Sequence, residues 1–144
     1  AMVMAMEKAK AMELKNVWFV DMDVANMAAC FATGEIDRMF INFPDPWPRS
    51  KNAKRRLTHR NFLSIYRQVI RPQGEIHYKT DNAPLFAFSL EEFRDAGLEV
   101  KNLTYDLHEN GIVGIMTGYE EKFHALGTPI NRCEVVVTPP PAQE

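Results

Sequence analysis

Cysteine is almost absent from this chain of 144 residues, which has Cys30 and Cys133 and no others. They lie far apart, without CxxC spacing, and the four histidines are scattered. A disulfide scaffold and a zinc module are thereby excluded, and two buried thiols in a reducing compartment are expected. No apolar run approaches the roughly 20 residues of a membrane-spanning helix. The opening Ala1-Met2-Val3-Met4-Ala5-Met6 lacks the basic start of a secretory leader, so no membrane partner is expected and the cytoplasm is the predicted location. Glycine is also sparse: the first of seven is Gly34, and there is no GxGxxG-like turn.

A further absence is local. From Asp45 the next carboxylate is Glu75, and between them stand eight of the 17 basic residues: Arg49, Lys51, Lys54, Arg55, Arg56, Arg60, Arg67 and Arg71. The net charge of −2 and pI near 6.1 conceal this segregation. A local field steers a polyanion irrespective of the net charge, so the run reads as a phosphate-gripping arm. A solvated helix face accounts for Arg67 and Arg71. It accounts poorly for the cations from Arg49 to Arg60, which follow a proline-rich turn.

What is present is globular: 46% hydrophobic and 25% charged residues suffice for one core. Helix formers predict a helix from Val3 to Leu14. Val17-Trp18-Phe19-Val20, within Asn16 to Asp23, predicts a short strand, and a weak helix follows over Ala25 to Phe31. Arg38 to Phe43 is a second strand. Thr58 is a predicted N-cap for a helix carrying Phe62, Ile65, Tyr66, Val69 and Ile70, ended by Pro72 and Gly74. Glu75 to Thr80 makes a third strand, and Asp81-Asn82-Ala83-Pro84 opens a helix with Leu85, Phe86, Phe88, Phe93 and Leu98 for the core. Leu98 to Leu107 and Cys133 to Val137 form a late antiparallel pair joined by a loop from His108 to Ile130. The domain is expected over residues 1–138, with a disordered proline-rich tail over 139–144.

Strands alternating with helices predict an α/β fold with a parallel sheet, whose ligands sit beyond the carboxyl ends of the strands. Asp23, Asp45 and Asp81 each follow a predicted strand, so all three are expected to face one crevice, although an N-cap role for Asp81 is an equal alternative. Asp45 is held between Pro44 and Pro46, which restrict the backbone on both sides. A fixed carboxylate accepts two hydrogen bonds from one planar edge, as guanine offers with N1–H and its amino group. Trp47 is either a stacking surface for a base or a core anchor.

Taken together, Phe43-Pro44-Asp45-Pro46-Trp47-Pro48, Lys54-Arg55-Arg56-Leu57-Thr58, Thr80-Asp81-Asn82 and Thr117-Gly118-Tyr119-Glu120-Glu121-Lys122-Phe123 resemble the bacterial tRNA (guanine-N7-)-methyltransferases, in order and in spacing. The resemblance implies the C-terminal portion of a Rossmann-like S-adenosylmethionine-dependent methyltransferase fold, mostly parallel, with a late antiparallel strand pair. It implies methyl transfer from S-adenosylmethionine to N7 of a guanine in the tRNA variable loop. By position, Asp45 is the implied catalytic acid, and Asp23 and Asp45 are implied cofactor contacts. Arg49 (where the family usually has lysine), Asp81 and Thr117, Gly118, Tyr119 and Glu120 are implied substrate contacts. Lys51, Lys54, Arg55 and Arg56 are assigned to tRNA phosphates, and no metal is expected. The family's first strand, its glycine-rich cofactor loop and its second-strand acid have no counterpart here. The chain therefore reads as a domain without its first strands, with activity of this polypeptide alone in question and a homo-oligomer left open. A non-catalytic RNA-binding or assembly fragment, and an amino-methyltransferase acting on adenine or cytosine, are the alternatives.

Overall fold

A computed structural model describes residues 2–139. Four strands form one sheet in the order β1-β2-β4-β3: β1 (Ile36–Asn42), β2 (Ile70–Thr80), β3 (Glu99–Thr104) and β4 (Asn131–Val136). Five helices accompany them: α1 (Met2–Ala11), α2 (Met27–Cys30), α3 (Arg60–Val69), α4 (Ala83–Asp95) and α5 (Gly118–Ala125). The alternation along β2 is the key to the packing. Ile76, Tyr78 and Thr80 are buried, whereas Glu75, His77 and Lys79 point to the opposite face. The buried set meets Ile41, Cys133 and Val135 from the neighbouring strands and Leu63, Tyr66, Phe86, Leu90 and Phe93 from α3 and α4. One face of the sheet thus carries the core, and the other is polar.

Only β1 and β2 run parallel, with Asn42 beside Lys79; β4 is antiparallel to both β2 and β3. The sheet is therefore mixed, a correction to the expectation of a mostly parallel one, although the late antiparallel pair is present. It arises because β4 inserts between β2 and β3 instead of closing a hairpin at the edge. Residues Asn16 to Asp23 form no strand: Val17, Trp18, Phe19 and Val20 are all exposed. A strand needs a ladder partner, and β1 has none on its outer side among the described residues.

Other boundaries shift for local reasons. His59, not Thr58, caps α3, its Nδ1 accepting from the Asn61 amide at 3.1 Å. Strand β2 begins directly after α3, and its first residues bulge against β1 between Ile36 and Arg38. Gly74 belongs to that bulge; a Cβ there would stand 2.6 Å from the Ile70 side chain and 2.8 Å from the Asp37 carbonyl. The loop expected over 108–130 contains α5, and the weak helix expected near Ala25 is a 3-10 turn (Val24–Asn26) followed by α2. Cys133 is buried as expected, its thiol pushed up to about 12 by desolvation, but Cys30 is exposed. Of the expected tail, Pro139 is exposed, and residues 140–144 lie outside the described residues. Among the described residues no helix is long and apolar enough to cross a membrane.

Candidate nucleic-acid and methyl-transfer site

Because β1 and β2 are parallel and in register at Asn42 and Lys79, their carboxyl ends open on the same end of the sheet. The Phe43 amide donates to the Lys79 carbonyl at 2.9 Å, which fixes where the acidic turn departs. Asp45 is exposed two residues beyond Phe43, and Asp81 is half-buried two residues beyond Lys79. Asn82 provides the cap of α4, its Oδ1 accepting from the Leu85 amide at 2.8 Å, so the Asp81 carboxylate is not consumed by capping. Asp23 is engaged: its Oδ1 accepts from the Ala25 amide at 2.9 Å and caps the short 3-10 turn. No hydrogen bond joins Asp23 to the Asp45 or Asp81 loops among the described residues.

The turn around Asp45 is strained on both flanks. Phe43 and Trp47 have φ of 50° and 42°, in the left-handed region that bulky L-residues avoid. Each costs on the order of 1–3 kcal/mol, a strain that persists only where neighbours over-determine it. Arg56 is the neighbour that does so. Its Nη2 donates to the Trp47 carbonyl at 2.9 Å, and its Nε donates to the Pro46 and Trp47 carbonyls at 3.1 Å each. The same guanidinium lies 4.5 Å above the Phe88 ring. Arg56 therefore clamps the turn, while Arg55 stacks over Trp47 at 4.9 Å and Arg49, Lys51 and Lys54 are exposed.

The end of the basic arm is anchored in the core. Thr58 is fully buried, with its hydroxyl oxygen 2.7 Å from that of Ser89, which is itself 2.9 Å from the Tyr78 hydroxyl. The Tyr66 hydroxyl donates to the Leu57 carbonyl at 2.7 Å. Burial pushes both phenols up. The segment from Lys54 to Thr58 thus turns two cations outward and sinks its last two residues.

The late motif comes to the same place. Thr117 caps α5, its Oγ1 accepting from the Glu120 amide at 3.0 Å, and Gly118 is exposed behind it. The ring of Tyr119 lies 5.1 Å from Phe43 and 4.6 Å from Phe123, which also stacks on Phe43. Glu120 points inward and is fully buried between Lys79, at 2.5 Å, and His108. Desolvation pushes its carboxyl up, but the hydrogen bonds from Lys79 and His108 prevail and hold it below the usual range. Sequence reasoning missed Lys79 and His108. The polar alternation Glu75, His77, Lys79 was a legible signal for the first; an isolated histidine in a loop offers none.

Between this region and the polar sheet face runs a cleft of about 530 Å³, bordered by Phe40, Asn42, Lys79, Ile115, Thr117 and Arg132. Its floor is internally satisfied. Arg132 donates to Glu134 at 2.7 Å and to His77 Nδ1 at 3.1 Å, and His77 Nε2 lies 3.0 Å from Glu75. Glu75, His77 and Glu134 converge closely enough to hold a cation, but Arg38, Lys101 and Arg132 already balance their charge. The chemically available groups are those at the strand ends.

A sheet with helices against one face, acids just beyond the parallel strand ends and a reversed strand beside them is the architecture of a methyltransferase-like α/β domain. A solved S-adenosylmethionine-dependent O-methyltransferase from Thermotoga maritima shares it, with a TM-score of 0.56 over 97% of this chain and 46% of that one, at 13% identity. That likeness concerns the fold alone. Residues 1–133 match the family model described as "Putative methyltransferase", and the chain belongs to that family. Among curated relatives, the tRNA (guanine-N(7)-)-methyltransferase of Halalkalibacterium halodurans is 48% identical over 92% of this chain and 61% of its own length. The protein of the same name from Bacillus subtilis is 46% identical over 92% of this chain and 63% of its own length. The chain thus spans about three-fifths of the curated relatives it matches.

Proposed function

We propose that this chain provides the substrate-side part of a tRNA guanine-N7 methyltransferase that uses S-adenosylmethionine. The observation that carries the reading is the meeting of two distant motifs, the strained Pro44-Asp45-Pro46 turn and the Thr117–Glu120 helix start, through Phe43 and Tyr119 at the ends of β1 and β2. The relatives' names support the substrate class. The resident cations fit an RNA backbone: Arg49, Lys51, Lys54 and Arg55 are exposed beside the turn, and each phosphate contact would make binding salt-dependent.

Toward the cofactor the residues fit only in part. Asp45 is exposed and Asp23 lies in a capped turn, but no glycine-rich turn offers backbone to a ligand. When bound, S-adenosylmethionine supplies an electrophilic methyl group. The residues of this chain then orient the guanine. N7 carries an accessible lone pair, so no general base is required, and positioning dominates the rate. Asp45 holds the base edge and offsets the positive charge that develops on the ring. Asp81, Thr117, Gly118, Tyr119 and Glu120 shape the base and ribose surroundings, Glu120 from within. Arg56 serves the phosphates only indirectly, by holding the turn.

Nucleoside mass spectrometry of tRNA incubated with the protein and a millimolar excess of labelled S-adenosylmethionine, which offsets the incomplete cofactor site, tests this, with a DNA duplex as comparator. N7-methylguanosine in tRNA is expected, and Asp45→Asn is expected to lose most of it, on the order of a hundredfold, with unchanged circular dichroism. Methyladenine or methylcytosine in DNA would favour the amino-methyltransferase alternative. Near-native activity of Asp45→Asn would remove the acid from the chemistry.

A further inference from the structure

Helix α5 carries Tyr119 to the acidic turn, yet Glu120 is its one buried residue. A helix usually docks through an apolar stripe; here a carboxylate enters the protein instead. Two attachments meet on it. Lys79 reaches Glu120 Oε1 at 2.5 Å, and its Nζ also lies 3.4 Å from the Ile115 carbonyl. Its backbone carbonyl receives the Phe43 amide at 2.9 Å. One residue of β2 therefore ties the acidic turn through its main chain and α5 through its side chain. On the other side, His108 accepts from the Val113 amide at 3.1 Å through Nδ1. The proton is then on Nε2, which donates to Glu120. The loop from Val113 to Thr117, which walls the cleft, is caught between the two.

We propose that Lys79 and His108 are positioning residues which, through the buried Glu120, set the distance between the Asp45 turn and the Tyr119 face that receives the guanine. The inference rests on the tRNA-methylation reading for its consequence, but the pinning of the loop does not depend on it. A side chain misplaced by about 1 Å near a reacting centre costs up to about a hundredfold in rate. Neither Lys79 nor His108 needs to touch the nucleotide for its loss to register.

The test combines two measurements on the full 144-residue chain carrying His108→Phe, Lys79→Met or Lys79→Arg. Hydrogen exchange reads the pin itself. In His108→Phe and Lys79→Met, amides from Val113 to Glu120 are expected to exchange at least about tenfold faster, with those of β2 and β4 unchanged. Lys79→Arg, which keeps the charge, is expected to restore protection. Anisotropy with labelled tRNA reads the consequence, and a dissociation constant raised about tenfold is expected in the first two variants. Unchanged exchange at Val113–Glu120, or uniformly faster exchange throughout the sheet, would overturn the pin. Faster loop exchange with unaltered tRNA affinity would overturn the positioning role. Absence of tRNA binding by the unsubstituted chain would instead count against the methylation reading, leaving the exchange result to decide the pin.

Discussion

Glu75 stands on the polar face of β2 with Lys101 Nζ at 2.5 Å, His77 Nε2 at 3.0 Å and Arg38 at 3.8 Å. The His77 ring can donate to it because Arg132, which has only donors, occupies the other ring nitrogen. Hydrogen bonds from His77, then from Lys101, hold the Glu75 carboxyl at about 2. A depressed carboxylate stabilises the fold fully above its unfolded pKa, near 4.5, and loses that contribution as pH falls toward about 2. Urea unfolding between pH 7 and pH 2.5 should therefore show a loss of stability below pH 4.5 that is smaller in Glu75→Gln. At pH 7 the same variant should be less stable by at most about 1 kcal/mol, since Lys101 is partly exposed and solvent screens the pair. An unchanged acid limb in the variant would mean that other carboxylates account for it.

At the level of elements, the segment from Arg49 to Thr58 divides its cations between two tasks. Arg55 lies over Trp47 with its charge toward solvent, whereas Arg56 is committed to the carbonyls of Pro46 and Trp47. Arg55→Ala should lower the salt dependence of tRNA binding by about one phosphate contact and leave stability within about 0.5 kcal/mol. Arg56→Ala should leave the salt slope nearly intact, yet cost about 1.5–3 kcal/mol, because carbonyls of a strained turn lose a charged donor. Anisotropy titrations across potassium chloride concentrations, with denaturant melts of the same proteins, separate the two.

Sequence pattern revealed α3, α4 and β2 well, because each alternates or recurs with its own period over a core face. It showed β1 only as the short apolar run Met39-Phe40-Ile41, of which Ile41 alone is buried. It failed where burial is not apolar. Helix α5 stayed hidden in a loop because a single glutamate anchors it, and Val17–Val20 suggested a strand that nothing in the sheet pairs. Asp45 and the exposed cations were visible as motifs. The clamp by Arg56 was not, since a guanidinium aimed at backbone carbonyls looks the same in sequence as one aimed at a phosphate.

For the whole molecule, helices α3 and α4 pack on one side of the sheet, and the opposite side exposes the charged network and the cleft. Helix α1 has no buried residue, Trp18 is 81% exposed, and β1 presents an edge with no partner among the described residues. The exposed groups that bind nucleic acid in the proposed reading are anchored to the packed part through Arg56, Leu57 and Thr58. In that reading the candidate cofactor contacts are Asp45, on its strained turn, and Asp23, on a turn capped by its own side chain. Two carboxylates without a backbone cradle or an enclosing wall remove little ligand surface from water, and affinity for a molecule of that size requires most of its surface to be buried. Isothermal titration of the 144-residue chain with S-adenosylmethionine should accordingly give a dissociation constant no tighter than about 1 mM, or about −4 kcal/mol. Anisotropy under the same conditions should still detect tRNA through the arm from Arg49 to Arg55. Micromolar cofactor affinity would mean that the segment before Asp23 rearranges on binding to complete the site, and hydrogen exchange across Val17–Asp23 with and without cofactor would locate that change.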